Sequence, residues 1–279
     1  MNIFKTKKAL QTHLDTYKQT HRIGFVPTMG ALHKGHLFLI KKAKEENDLV
    51  VVSIFVNPTQ FDNQEDLIKY PKTLQKDIDL LKTVNCDVVF TPDVSEIYNN
   101  QIVSESFNFG GIENEMEGKF RKGHFDGVGT IVKRLFEIVQ PHKAYFGEKD
   151  FQQLQIIKKL VEITNLPIEI IPCAIFREDD GLAMSSRNTR LTKEQREAAP
   201  FIYKTLKKAK KKFGIKNAEK VTKWVQKKFK KNPVLELEYF VIADEHSLKQ
   251  IDKKDKNNQP RAFIAVYAGD IRLIDNLAM

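Results

Sequence analysis

The sequence contains only two cysteines, Cys86 and Cys173, and a single tryptophan. The thiols stand far apart and match no metal-ligand spacing. That excludes a disulfide-framed domain and a cysteine-based zinc site. Long apolar runs are missing as well. The best candidate, Leu49 to Val56, is interrupted by Ser53 and falls far short of the roughly 18 residues a membrane span needs. The opening stretch, MNIFKTKKALQTHLDTYKQ, has basic residues but no apolar run behind them, so no export signal is expected. Two buried, reduced thiols in a cytoplasmic protein with no membrane association are the expectation. With 41% hydrophobic and 29% charged residues, the chain is neither disordered nor fibrous in composition. Its 279 residues are ample for two domains.

The formal net charge of +10 raises the question of nucleic acid. Thirteen lysines between Lys204 and Lys231 face one acid, Glu219, a local excess of +12 that leaves the rest of the chain near −2. The basicity therefore belongs to one element. The aromatics within it, Phe213, Trp224 and Phe229, recur at helical core spacing and do not form a stacking platform. Nucleic acid is not the expected partner, and a solvated helical face is the simpler reading.

The first two-thirds alternates strand-like and helical patterns. Strands are expected at Ile23–Thr28, Leu49–Val56, Asp87–Phe90, Ala144–Phe146 and Ile168–Ile175. Helices are expected at His36–Glu46, Thr73–Val84, Val128–Val139 and Phe151–Thr164. The run LVVVSIFV is nearly all apolar, as suits a strand covered on both faces. This βαβα order predicts an α/β fold with a Rossmann-like, doubly wound parallel sheet. The pattern changes after Arg190. Two amphipathic helices, Leu191–Phe213 and Ala218–Lys230, precede alternating strands at Glu236–Ile242, Arg261–Tyr267 and Ile271–Asn276. A smaller α+β C-terminal domain is expected, with residues 1–180 and 181–279 as the two domains.

The most informative segment is PTMGALHKGH, Pro27 to His36. It lies where the first of these strands passes into the first long helix, and ligands of open parallel sheets bind at such turns. Gly30 and Gly35 permit close backbone approach. The helix N-terminus directs unpaired N–H groups and positive dipole toward the loop, which suits a phosphate. His33 and His36 add donors. Half of a zinc site is the alternative, but no third ligand stands at a suitable spacing and the glycines would have no role.

This wording resembles the HxGH signature of the nucleotidyltransferase superfamily, and in particular the pantothenate synthetase (pantoate–β-alanine ligase) family. The blocks SIFVNPTQF, EDLIKYPKTLQKD, EGKFRKGHFDGVGTIVKRLF, FGEKDFQQLQ and DGLAMSSRN are similar to that family's, in its order, and the ending GDIRLIDN resembles it too. The likeness is close over residues 23–190 and looser beyond.

The resemblance implies ATP-dependent condensation of (R)-pantoate with β-alanine through a pantoyl adenylate, with Mg²⁺ on the phosphates. It places ATP against Met29, Gly30, Ala31, Leu32, His33, Lys34, Gly35 and His36, against Gly147, Glu148, Lys149 and Asp150, and against Met184, Ser185, Ser186 and Arg187. Backbone groups of Phe176 would lie near adenine. Gln60 would contact pantoate and β-alanine, Gln153 pantoate, and the Asn57 amide could hold a hydroxy acid's oxygens. His33, His36, Lys149 and Arg187 would carry catalysis by offsetting negative charge. A homodimer and a C-terminal lid are further implications.

Each block also has a plainer reading. Asn57-Pro58 can be a turn, Asp150 a helix cap, and MSSRN a solvated turn. The role of His124 stays open between structure and function. His13, His21, His142 and His246 carry no motif and are expected on the surface. Gly129 stands inside a predicted helix where the family suggests Ala. A different nucleotidyltransferase would share the HxGH argument but would not require NPTQF or FGEKDFQQLQ.

Overall fold

The computed structural model describes residues 1–61, 64–99 and 101–279. The chain divides into two compact units. The first comprises Met1–Glu148 and Gln152–Ala174, the second Lys149–Phe151 and Ile175–Met279. The division near residue 175 falls slightly before the sequence-based boundary. The reason is local: the segment after Ala174 bonds within the second unit, through a bridge of Arg177 to Ala183 and an ion pair of Arg177 with Asp275.

The first unit contains strands β1 (Asn2–Phe4), β2 (Ile23–Thr28), β3 (Leu49–Ile54), β4 (Val88–Phe90), β5 (Lys143–Gly147) and β6 (Glu169–Cys173). They form one sheet in the order β1-β4-β3-β2-β5-β6, with every adjacent pair parallel. Its helices are α1 (Lys7–Asp15), α2 (Lys34–Glu46), α3 (Gln64–Lys69), α4 (Leu74–Thr83), α5 (Val94–Tyr98), α6 (Met116–Phe120), α7 (His124–Val139) and the body of α8 (Phe151–Thr164).

The winding explains where a ligand can enter. From β2 the chain moves one way to β3 and β4, then returns to the other side for β5 and β6. The order therefore reverses between β2 and β5. β2 pairs with β3 along its full length, Ile23 to Thr28, whereas its pairing with β5 covers only Gly24 and Phe25. Pro27 lies past that point and has no N–H to donate. The β2–β5 pairing thus ends short of the carboxyl end of β2, at the reversal of strand order where open parallel sheets bind ligands. Val26, Val50, Val52 and Val89 from the strands pack with Ile40 and Ala43 of α2 and Leu81 of α4, all completely buried.

The second unit holds α9 (Lys193–Ala198), α10 (Phe201–Phe213), α11 (Ala218–Phe229) and strands β7 (Leu235–Asp244), β8 (Pro260–Ala268) and β9 (Ile271–Ala278). The strands form an antiparallel sheet in that order. Ile202, Leu206, Ala209 and Phe213 of α10 and Val221, Val225 and Phe229 of α11 pack into one core with the sheet's inner residues. The lysines of both helices occupy the opposite faces. Phe201 stacks edgewise on Phe229, while Lys212 and Lys228 lie over the half-buried Trp224 ring. The aromatics of the basic stretch are thus packed or covered.

Some expectations need correction. Leu191–Phe213 is not one helix: Pro200 lacks the N–H that would continue α9, so α10 starts anew after it. Helices α1, α3, α5 and α6 and strand β1 were too short or too polar to be read from periodicity. Gly129 has a packing reason, since a Cβ there would lie 3.0 Å from ring carbons of Phe107 and Phe109. His142 and His246 are exposed as expected, but His13 and His21 are half-buried, in a ring ladder with Tyr17.

Candidate active site

The loop between β2 and α2 is built by its own polar groups. Thr28 Oγ1 donates to the Ser53 carbonyl (2.8 Å) and accepts from Gly30 N–H (3.2 Å). Gly30 and Ala31 both take positive φ, +80° and +50°. His33 is the N-cap of α2. Its Nδ1 accepts from Gly35 N–H (3.1 Å), and Nδ1 of His36 accepts from His33 N–H (3.3 Å), a capping box made of two histidines. The rings lie 4.0 Å apart, centroid to centroid. Because each Nδ1 is an acceptor, each neutral ring carries its proton on Nε2. The pair therefore presents N–H donors at a helix terminus whose first turn has no acid.

Not all of Met29 to His36 serves in the same way. Leu32 is buried in the sheet core. The N–H groups of Ala31 and Leu32 donate to the Asp77 carboxylate at 3.0 and 2.7 Å. Lys34 is exposed, and Gly35 is buried under the first turn.

Gln60 sits in a short 3-10 turn, Pro58–Gln60, after β3. Its Nε2 contacts Met29 Sδ at 2.9 Å and its Oε1 accepts from Asn57. Asn57 is 1% exposed. Its amide N–H also donates to Gly127 O (3.1 Å), and its carbonyl accepts from Tyr98 OH (2.5 Å). The Asn57 amide is thus turned inward and shapes the turn that carries Gln60. His124, at the start of α7, is buried; its Nδ1 lies 2.8 Å from the Gln60 carbonyl oxygen. Arg121 donates to the same oxygen at 3.3 Å. Gly127 lets α7 approach, since a Cβ there would stand 2.4 Å from Thr59 O. Gln153 is half-buried on the first turn of α8. Its neighbour Gln152 is buried, tying Glu117 N–H and the carbonyls of Ile112 and Glu115 together. Gly147 ends β5 and Glu148 opens the 3-10 turn Glu148–Asp150; a Cβ at Gly147 would meet nothing within 4 Å.

In the second unit, Lys149 and Asp150 form an ion pair at 3.4 Å, with Asp150 exposed. Asn276 Nδ2 donates to the Lys149 carbonyl at 2.9 Å. Arg177 grips buried Asp275 through two bonds of 2.7 and 2.9 Å. Phe176 O accepts from Met184 N–H at 3.0 Å, closing a narrow loop in which Gly181 takes φ +93° against the Tyr203 ring. Ser185 caps a 3-10 helix, Ser186–Arg190, by accepting from Arg187 N–H. MSSRN is therefore an ordered helical turn. Arg196 binds Asp180 and Glu178 at 2.6 Å each. Burial pushes the Asp180 carboxyl up, but the Arg196 and Leu182 donors outweigh it and leave it below its ordinary value.

Sequence reasoning missed Asp77, Asp275 and Asn276 and left His124 open. Each lies inside a family-like block but has no local motif of its own. Among the described residues, no three His, Cys, Asp or Glu side chains gather as a metal site.

The relatives of this chain fall in one family. The sequence matches the family described as pantoate-beta-alanine ligase over residues 2–278. It is 56% identical over 281 residues to the pantothenate synthetase of Christiangramia forsetii, covering 100% of this chain and 99% of that one. Identity to the pantothenate synthetase of Flavobacterium psychrophilum is 54%, covering 100% of both. The crystal structure of pantothenate synthetase from Thermus thermophilus superposes with a TM-score of 0.92 at 37% identity, over 99% of each chain. Pantoate-beta-alanine ligase from Francisella tularensis, complexed with beta-gamma ATP and beta-alanine, gives 0.83 at 40%, over 100% of this chain and 97% of that one.

Proposed function

The chain belongs to the pantoate–β-alanine ligase family, and from that premise we propose that it joins (R)-pantoate to β-alanine with cleavage of ATP to AMP and pyrophosphate. The observation that carries the reading is the histidine capping box at the switch point, with Nε2–H donors beside a helix N-terminus. A pantoate carboxylate oxygen attacks the α-phosphorus, and the bond to the bridging oxygen of pyrophosphate breaks. Charge grows on the phosphoryl oxygens, where His33, His36 and the α2 dipole offset it without rearrangement. Lys149 and Arg187 serve the phosphates in the same way, Arg187 with a planar fork matched to their oxygens. Ser185, Ser186 and Met184 shape that segment, and Asp150 reaches toward the ribose. The β-alanine amine then attacks the acyl carbon of pantoyl adenylate. The C–N bond forms, the C–O bond to AMP breaks, and a proton leaves the amine.

Gln60 and Gln153 hold pantoate, and Gln60 also meets β-alanine, the ligand of the Francisella protein. Asn57 acts on Gln60 and not on substrate, because its amide is already engaged. Among the described residues no three carboxylate, imidazole or thiol groups gather to hold a metal by themselves; Mg²⁺ would come bound to the triphosphate, where it needs only one or two protein carboxylates beside the phosphates, and no step is assigned to it. A homodimer working in the cytoplasm is the corresponding assembly.

The test is AMP release from ATP and Mg²⁺ with pantoate, with and without β-alanine, followed by mass spectrometry of the product. AMP and pantothenate that need both substrates support the reading. Turnover only with another acid would keep the fold and sink the substrate assignment.

A further inference from the structure

We infer that Asp77 is a positioning residue for the adenylation step, holding the phosphate-facing loop from beneath; this rests on the function proposed above. Asp77 lies on α4 and is 2% exposed. Its Oδ1 accepts from Leu32 N–H at 2.7 Å and its Oδ2 from Ala31 N–H at 3.0 Å. Thr73 Oγ1 lies 3.2 Å from both oxygens. The carboxylate therefore spends its hydrogen-bonding capacity on the loop and on one hydroxyl of its own helix.

The loop needs such a partner. Gly30 and Ala31 are consecutive left-handed residues, and Ala31 has a Cβ that disfavours that conformation. Successive N–H groups in this kind of turn converge into a small anion-binding hollow. Here the hollow holds the protein's own carboxylate. That fixes the direction in which the next residues leave, and so the position of His33 as N-cap. It also commits two of the loop's amides inward, leaving substrate charge to the helix terminus and the histidine Nε2 groups. A Cβ at Gly30 would come 3.1 Å from Asp77 Oδ2, so glycine lets the carboxylate approach. A negative charge under an anion site opposes phosphate binding by itself. Its presence makes sense if geometry is gained.

The experiment separates the half-reactions. Asp77→Asn keeps the shape but puts an NH₂ against a backbone N–H, so one loop bond must break. We expect pantoate-dependent ATP–pyrophosphate exchange to fall about 100-fold in kcat/KM for ATP. Amide formation from supplied pantoyl adenylate and β-alanine should stay within about twofold of the parent, which loss of general stability would not achieve. Thr73→Val, which keeps the carboxylate and removes one donor, should shift exchange in the same direction by less, and it decides the matter if Asp77→Asn does not fold. Unchanged exchange in a folded variant, or equal loss in both half-reactions, overturns the inference. A parent chain without pantoate-dependent exchange would instead sink the adenylation reading on which it rests.

Discussion

Gly127→Ala should cripple substrate use while leaving a folded protein. Gly127 lies in the first turn of α7, and its carbonyl accepts from Asn57. A Cβ there would stand 2.4 Å from Thr59 O, 2.7 Å from Thr59 C and 2.8 Å from Gln60 Cα. The first distance is about 1 Å inside an ordinary carbon–oxygen contact. All three atoms are backbone, so no side chain can swing aside and the Pro58–Gln60 turn must move. Ala gains up to about 1 kcal/mol over Gly in a helix, against about 1–3 kcal/mol for overpacking. The net loss of about 0–2 kcal/mol leaves the fold intact. Gln60 holds substrate in the function proposed above, and a displacement of about 1 Å at such a residue costs about 100-fold in rate. Steady-state kinetics should therefore show kcat/KM for pantoate and β-alanine down about 100-fold, with KM for ATP changed little. Gly129→Ala is the control. There the nearest atoms are phenylalanine ring carbons at 3.0 Å, which can shift, so activity should stay near the parent's. Full activity of Gly127→Ala, or equal loss toward all three substrates, would refute the reasoning.

His36→Ala should keep the fold and lower pantoyl adenylate formation by about 10²–10⁴-fold; exchange at the parental rate would remove His36 from the mechanism. Asp244 accepts from Ser247 N–H, Gln259 N–H, Ser247 Oγ and His246 N–H at 2.8 to 3.1 Å. Burial pushes its carboxyl up, but these donors outweigh it and hold it below its ordinary value. Its stabilisation is therefore present above the unfolded value of about 3.9 and is lost as pH falls through the folded one. Asp244→Asn should cost about 1–2 kcal/mol at pH 7, a gap that closes on acidification; urea midpoints showing the same gap at both pH values would contradict this. Burial pushes the Cys86 thiol up to about 12 and Cys173 to about 11. Neither should react with Ellman's reagent at pH 8 until urea unfolds the chain, and rapid labelling of the native protein would count against their burial.

The parts of the fold legible in the sequence are those whose physics is local. LVVVSI reads as a doubly covered strand because all of it but Ser53 is apolar and it shows no polar alternation, and it is β3 with Leu49–Ser53 all buried. The helix after PTMGALHKGH is legible from its apolar spacing, though it starts at Lys34 and not at His36: His33 is the N-cap and His36 completes a capping box, a role the sequence reading did not assign. What was misread also has local causes. Leu191–Phe213 keeps helical periodicity straight through Pro200, so apolar spacing outweighed the proline's missing donor in the reading, though not in the chain. Ala31 and Leu32 share a motif with the histidines, and spacing alone cannot tell which amides face a ligand and which face a buried carboxylate.

The supports of the site were hidden for a different reason. Asp77 acts on residues 45 and 46 positions away, His124 on one 64 away, and Asn276 on one 127 away. No window of sequence joins such partners. Yet each support falls within a block singled out for resemblance and left without chemistry. Asp77 ends EDLIKYPKTLQKD, His124 and Gly127 lie in EGKFRKGHFDGVG, and Asp275 and Asn276 close GDIRLIDN. None of the groups given a reacting or substrate-holding role in the proposed mechanism lies in those blocks. They supply the carboxylate under the loop, the imidazole behind Gln60 and the amide behind Lys149. A reacting group helps only if its position is fixed to a fraction of an ångström. A block that matches a family but carries no reacting group is therefore best read as the part that holds one, and the polar residue in it that becomes buried is the first to substitute.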